Sequence, residues 1–249
     1  MRDSNYRKRE NYGSLYGVGV GIGDPESLTL KAVRIIKESD MIAVPTKEKD
    51  DSRAYRIAGS AIPEVKSKKI LTLDFEMTRD PDKREANHKR IYERIKKHIL
   101  EGKNIAFLTI GDPALYSTFT YISNLAAEDG IKCETISGIS SAFSCAARLG
   151  IPLGEGDERI HIIPDIDNLA EELTYPGTKV IMKCAKSMSE IKQILRDYEE
   201  RCKRNKKKLS VYAVSDCDRV GETCYKGVSS LPDQGEYMLT IIVKEKFQR

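Results

Sequence analysis

The chain has 249 residues, with 42 Lys+Arg against 38 Asp+Glu and 40% apolar residues. That length fits one large domain or two small ones, and a net charge of +4 suits an anionic small molecule better than nucleic acid, which asks for a concentrated basic face. No apolar run approaches the roughly 18 residues of a spanning helix, and no secretory leader pattern opens the chain, so neither membrane nor export is expected.

Residues 1–14 are polar and basic (Arg2, Arg7, Lys8, Arg9) and read as a disordered tail. Tyr16–Val20 reads as a first strand. Leu28, Ala32, Ile35 and Ile36 then recur at helical spacing, and Ile42–Val44 is a second strand. The segment Lys47–Lys68 is polar without a clear period, and reads as a loop or a poorly formed helix. Ile91, Ile95 and Ile99 mark a charged amphipathic helix, on which His88 and His98 read as surface residues. Ile105–Ile110 is a continuous apolar run, suited to a strand covered on both faces. A helix with Phe119, Ile122 and Leu125 follows, closed near Gly130. The second half continues with strand-like Cys133–Ile136, a helix around Ala142–Leu149, and strand-like Ile160–Ile163 and Val180–Met182. A helix carrying Ile191, Ile194 and Tyr198 precedes strand-like Leu209–Val214, and Tyr237–Val243 closes the chain as a strand able to pair antiparallel. This alternation predicts an α/β protein with mixed sheets, divided into an N-terminal domain over 15–136 and a C-terminal domain over 137–249.

Three strand-to-helix junctions carry the chemistry. The first is Gly17-Val18-Gly19-Val20-Gly21-Ile22-Gly23-Asp24-Pro25, where glycines allow a tight turn and close approach to a ligand, and Asp24 can cap a helix begun by Pro25. Neither glycine frame gives the dinucleotide fingerprint, and the phosphate loop is absent. The second is Ile110-Gly111-Asp112-Pro113. Here Asp112 can be a cap or can hold a polar ligand group, and a strand's carboxyl end is where open α/β sheets bind ligands. The third is Ser137-Gly138-Ile139-Ser140-Ser141, whose serines can cap a helix or receive a ligand's polar edge. The six cysteines form no C-x-x-C pair and the three histidines show no H-x-x-x-H spacing. The expectation is therefore reduced cytoplasmic thiols and no protein-held metal. The run Lys203–Lys208 reads as a solvated turn.

Taken in order, these segments resemble the tetrapyrrole methylases. Gly19 to Ala32 matches that family's opening signature, Ile110-Gly111-Asp112-Pro113 its second, and Gly138-Ile139-Ser140-Ser141 with Gly150-Ile151-Pro152-Leu153 its third region. The resemblance covers nearly all of 15–245. Within the family, Ser52-Arg53-Ala54-Tyr55, Phe107 to Phe119 and Gly156-Asp157-Glu158 look like the subgroup acting on C-20 of the precorrin-2 skeleton. Two departures are Ile22 and Ser137, where the family often has proline.

The resemblance implies a two-domain enzyme, commonly a homodimer, with S-adenosylmethionine between its domains and a tetrapyrrole substrate. By motif position, Ile22, Ile110, Gly111, Asp112, Leu115, Ser140, Ser141 and Met182 would contact the cofactor, and the loop around Ala213–Cys217 would approach the adenine. Arg53 and Arg56 are candidates for the substrate carboxylates, because guanidinium matches carboxylate geometry. No catalytic base is assigned. The implied reaction is methyl transfer to C-20 of cobalt-factor II. Metal-free precorrin-2 is the alternative substrate, and RNA or protein methylation on the same fold a more remote one. Any cobalt would arrive inside the substrate.

Overall fold

Every strand of the N-terminal unit runs the same way, and the buried apolar runs explain it: a strand apolar on both faces needs a helix over each. The computed structural model describes residues 12–76, 78–235 and 238–247. The chain divides into two units, Met1–Ser140 and Ser141–Arg249.

In the first unit, β1 (Leu15–Gly19) leads through a single 3-10 turn, Pro25–Ser27, to α1 (Leu30–Glu38) and β2 (Met41–Val44). Next come α2 (Arg53–Ala61), β3 (Lys69–Thr72), α3 (Pro81–Leu100), β4 (Ile105–Thr109), α4 (Phe119–Glu128) and β5 (Cys133–Ile136). The strands line up as β3-β2-β4-β1-β5, all parallel. On one face Ala32, Ile35 and Ile36 of α1 and Ala54, Ile57 and Ala58 of α2 pack with Val18, Ile42 and Leu108. On the other, Ile91, Ile95 and Ile99 of α3 and Phe119 and Ile122 of α4 pack with Leu15, Ile105 and Phe107.

Four sequence expectations are corrected here. Asp24 caps only the 3-10 turn, accepting from the Glu26 N–H at 2.8 Å, while Thr29 caps α1 through the Ala32 N–H at 3.1 Å. The stretch 47–68 is not a loop: it contains α2, capped by Ser52 at the Tyr55 N–H (3.2 Å). Its helical period is carried by Ala54, Ala58 and Gly59 among larger residues, all buried, and small side chains give a weak apolar signal. The tail expected over 1–14 falls mostly outside the described residues. Gly13 and Ser14, however, are buried and placed, Gly13 donating to the Ile99 carbonyl (2.9 Å) and Ser14 to Asn104 Oδ1 (3.0 Å).

The fourth correction concerns His88, which is buried. Its ring stacks on Tyr121 at 4.4 Å and tilts against Phe75 at 5.7 Å. Burial, and secondarily the Arg84 charge, holds its pKa below the ordinary 6.5. The unfolded chain therefore takes up this proton more readily than the folded one, so stability is full above the ordinary value and is lost as pH falls below it. Urea midpoints measured between about pH 7.5 and about pH 5.5 should fall more steeply for the wild type than for His88→Phe. Equal slopes would remove His88 from the acid response.

The second unit holds α5 (Ser141–Arg148), β6 (Ile160–Ile163), α6 (Leu169–Glu172), β7 (Thr178–Ile181), α7 (Met188–Arg204), β8 (Lys207–Ser215), β9 (Thr223–Lys226) and β10 (Thr240–Phe247). Its sheet runs β6-β7-β10-β8-β9. Among the described residues only β6 and β7 pair parallel; β10 pairs antiparallel with both β7 and β8. The expected last strand thus forms antiparallel, from Thr240 onward, while Tyr237 lies outside the described residues. Ile191 and Leu195 of α7 close the core over Ile181, Ala213 and Ile241.

Candidate functional site

β1 and β4 are neighbours, but their onward connections part. From β1 the chain passes through α1 to β2, on the far side of β4; from β4 it passes through α4 to β5, on the far side of β1. The two helices pack with opposite faces of the sheet. Such a switch point leaves a crevice at the strands' carboxyl ends, which is where open α/β sheets take their ligands. The first two glycine motifs leave the sheet at that point.

The loops are locked to each other through backbone. Val20 donates to the Thr109 carbonyl (3.0 Å) and Gly111 to the Gly21 carbonyl (2.8 Å). Gly21 and Gly111 share a φ of +71°, a conformation that disfavours side chains. Beneath them Gly19, Gly111 and Gly138 meet. A Cβ on Gly19 would lie 2.5 Å from the Gly111 oxygen and 2.6 Å from the Gly138 nitrogen. Gly19 and Gly138 are thus needed for the strand ends to come this close, and Gly111 for its positive φ.

Asp112 ties the second and third loops. One carboxylate oxygen accepts from the Ala114 N–H at 2.7 Å, the other from the Gly138 N–H at 3.2 Å. It does not cap a helix, because residues 113–116 form a turn and α4 begins only at Phe119. Ser140 is buried, and its hydroxyl makes no hydrogen bond among the described residues. A buried hydroxyl without a partner is costly unless something else satisfies it, so it fits a ligand's polar group. Ile22 is buried, and Ile110 and Leu115 are half-buried. The structure therefore gathers Gly111, Asp112 and Ser140 around one backbone junction.

In the second unit, Ser141 opens α5 half-buried. Met182 follows β7 directly and donates its N–H to the Ile163 carbonyl (2.9 Å). Ala213 is inside β8 and not in a loop; it pairs with Ile241, which pairs with Ile181 across β10. The strand-forming run Val211–Val214 simply continues to Ser215, and the backbone turns off the sheet at Asp216, where φ is +46°. Ser215 is buried with a hydroxyl that makes no hydrogen bond among the described residues. Ser215 falls within the stretch Ala213–Cys217 expected near the adenine, but nothing in the sequence singled out its side chain. Arg53 opens α2, and Arg56 donates to the Asp50 carbonyl at 2.8 Å. The no-metal expectation rested on spacing alone, and spacing does not see Cys217, Asp218 and Glu222, whose ligand atoms lie within 4.8 Å of one another.

The chain matches the family model of Tetrapyrrole (Corrin/Porphyrin) Methylases over residues 14–229. It is a tetrapyrrole methylase. Among its relatives is a protein of Methanocaldococcus jannaschii named "Probable cobalt-precorrin-2 C(20)-methyltransferase", 39% identical over 187 residues, which span 75% of this chain and 78% of that one. The fold of this methylase recurs in a cobalt precorrin-4 methyltransferase structure at a TM-score of 0.72 and 16% identity, covering 93% of this chain and 94% of that one. It recurs also in a Thermus thermophilus uroporphyrin-III C-methyl transferase complexed with S-adenyl homocysteine, at a TM-score of 0.66 and 19% identity, covering 93% and 97%. Among the described residues no helix is long and apolar enough to cross a membrane.

Proposed function

We propose that this methylase transfers a methyl group from S-adenosylmethionine to C-20 of cobalt-factor II in cobalamin biosynthesis. The observation that carries the reading is the 39% identity, over three quarters of both chains, to a relative named for that reaction on cobalt-precorrin-2. The choice of cofactor draws on the family and on the fold neighbour solved with the demethylated product. When bound, the cofactor supplies a methyl group on a sulfonium, which carries its own leaving group.

The chain's own residues then have a positioning task. Gly21 and Gly111 keep the strand ends free of Cβ atoms, Ser140 offers the unsatisfied hydroxyl, and Ile22, Ile110 and Leu115 supply apolar surface. Holding methyl donor and meso carbon in line is worth roughly 7–11 kcal/mol of barrier. Arg53 and Arg56 stay the candidates for substrate carboxylates, Arg56 already being steered by Asp50. The decisive experiment incubates the enzyme with methyl-labelled cofactor and either the cobalt-containing or the metal-free tetrapyrrole. Product mass and the NMR position of the methyl are then read. Label at C-20 of the cobalt form is expected; label only on the metal-free form, or at another carbon, overturns the substrate assignment.

Asp112 gives a second test. Asp112→Ala removes the acceptor for Ala114 and Gly138, which should cost about 1 kcal/mol of stability, the usual net worth of such a hydrogen bond. It should weaken cofactor binding by more, roughly 1.5–3 kcal/mol, if the carboxylate also contacts the cofactor. Denaturant melts without cofactor isolate the first effect, and titration of the folded variant the second. A shifted melt with wild-type affinity would make Asp112 a loop brace alone.

A further inference from the structure

Asp112 ties together two loops of the first unit, and each carries an exposed apolar side chain that cofactor binding leaves without a task. Tyr116 is 46% exposed and Ile139 39%. Tyr116 ends the turn over 113–116, and Ile139 follows Gly138, whose N–H Asp112 holds at 3.2 Å. The two loops leave the carboxyl ends of β4 and β5, the end of an open α/β sheet that takes ligands. Among the described residues of the first unit, Tyr116 is also the one non-glycine at positive φ, +51°. A bulky residue is strained there, whereas glycine or asparagine fits readily. The strain is held from both sides. Before it, Leu115 donates to the Asp112 carbonyl (3.1 Å). After it, the Ser117 hydroxyl lies 3.2 Å from Thr109 Oγ1 and accepts from the Phe119 N–H at 3.1 Å. Backbone kept in a costly conformation by its surroundings, beside a ligand crevice, points to function.

Resting on the methyl-transfer reading, we propose that Tyr116 stacks its ring on the flat face of the tetrapyrrole and so fixes the plane of the macrocycle at the glycine junction, with Ile139 adding apolar surface. A tetrapyrrole is a broad, largely conjugated plane rimmed with carboxylates. Guanidinium groups suit the rim, and an aromatic face suits the plane, through offset stacking of rings. In-line transfer needs that plane held, because a tilt carries the meso carbon away from the methyl group. A tyrosine ring has only two χ angles to order, so little entropy is lost when it is covered. Glycine at 116 would relax the turn but would offer no ring. The strained backbone and the exposed aromatic therefore have one explanation.

The test titrates the full chain, saturated with S-adenosylhomocysteine so that no turnover occurs, with cobalt-factor II and separately with the metal-free tetrapyrrole. Binding is followed by the visible absorbance of the macrocycle. Tyr116→Phe should bind as the wild type does. Tyr116→Gly should lose tetrapyrrole affinity at least about tenfold, or about 1.4 kcal/mol, within what an aromatic pair contributes. Its cofactor affinity, read by calorimetry, should stay at the wild-type value. Tyr116→Asn also tolerates positive φ and carries the same comparison if the glycine variant does not fold. A wild type that takes up neither tetrapyrrole overturns the methyl-transfer reading and this inference with it. Wild-type binding that survives unchanged in Tyr116→Gly and Tyr116→Asn overturns this inference alone. So does an equal loss of cofactor affinity in those variants, which would make the ring a brace for its own loop.

Discussion

Gly138→Ala is expected to cost about 3 kcal/mol of stability, the upper end of the range for overpacking a filled site, and to abolish cofactor binding with it. The added Cβ would lie 2.3 Å from the Gly111 oxygen and 2.7 Å from the Gly19 carbonyl carbon. Both are backbone atoms, so no side chain can swing away, and relief requires the three strand ends to separate. Gly111→Ala is the instructive comparison. Its Cβ would find its nearest neighbour, Ser140 Cα, at an ordinary 3.7 Å, but the residue sits at a φ of +71°, so the cost is conformational and about 1–2 kcal/mol. Urea melts of the two variants should therefore rank Gly138→Ala as the more damaging, although its backbone φ is unremarkable. A Gly138→Ala melt within about 1 kcal/mol of wild type would mean that the junction is looser than its distances imply.

Glu245→Ala should be comparably severe, at about 3–5 kcal/mol, because it strands a buried cation. Glu245 on β10 lies 3.8 Å from Lys179 Nζ and accepts from Lys207 at 3.3 Å and from the Tyr198 hydroxyl at 3.1 Å. Lys179 is only 1% exposed, and burial already pulls its pKa below 10.5 while the Glu245 charge opposes that pull. Without Glu245 the folded-state value drops further, and the folded chain sheds a proton that the unfolded chain keeps. Stability then rises with pH up to the ordinary lysine value. Part of the loss in Glu245→Ala should accordingly be recovered when melts are repeated near about pH 10. Replacing both partners, in Lys179→Met with Glu245→Leu, should return most of the stability, since a buried pair is often no better than matched apolar side chains. A single variant that melts like the wild type, or a double variant no better than the single, would show that the pair is already solvated.

The sequence by itself determined the alternation of strands and helices and the three loops at the strand ends of the first unit; it predicted mixed sheets throughout, whereas the first sheet is all parallel. The alternation and the loops are written in neighbouring residues: a period of apolar side chains, a run such as Ile105–Thr109 buried throughout, a glycine beside an aspartate and a proline. Family membership followed from the order of those loops. The tertiary structure alone decided what the loops do to one another. That Gly138 must be glycine depends on Gly19 and Gly111 arriving beside it, and nothing local to residue 138 records this. Asp112 reads as a helix cap from its neighbours, yet its second oxygen is spent on Gly138. His88 and Lys179 look like solvated surface residues in a charged chain, and become buried because Tyr121 and Tyr198 cover them. Local periodicity fixes backbone conformation and which face is apolar. Contacts between residues far apart in the chain are set by how whole elements pack, because burial, ion pairing and close approach are properties of the neighbours that packing supplies.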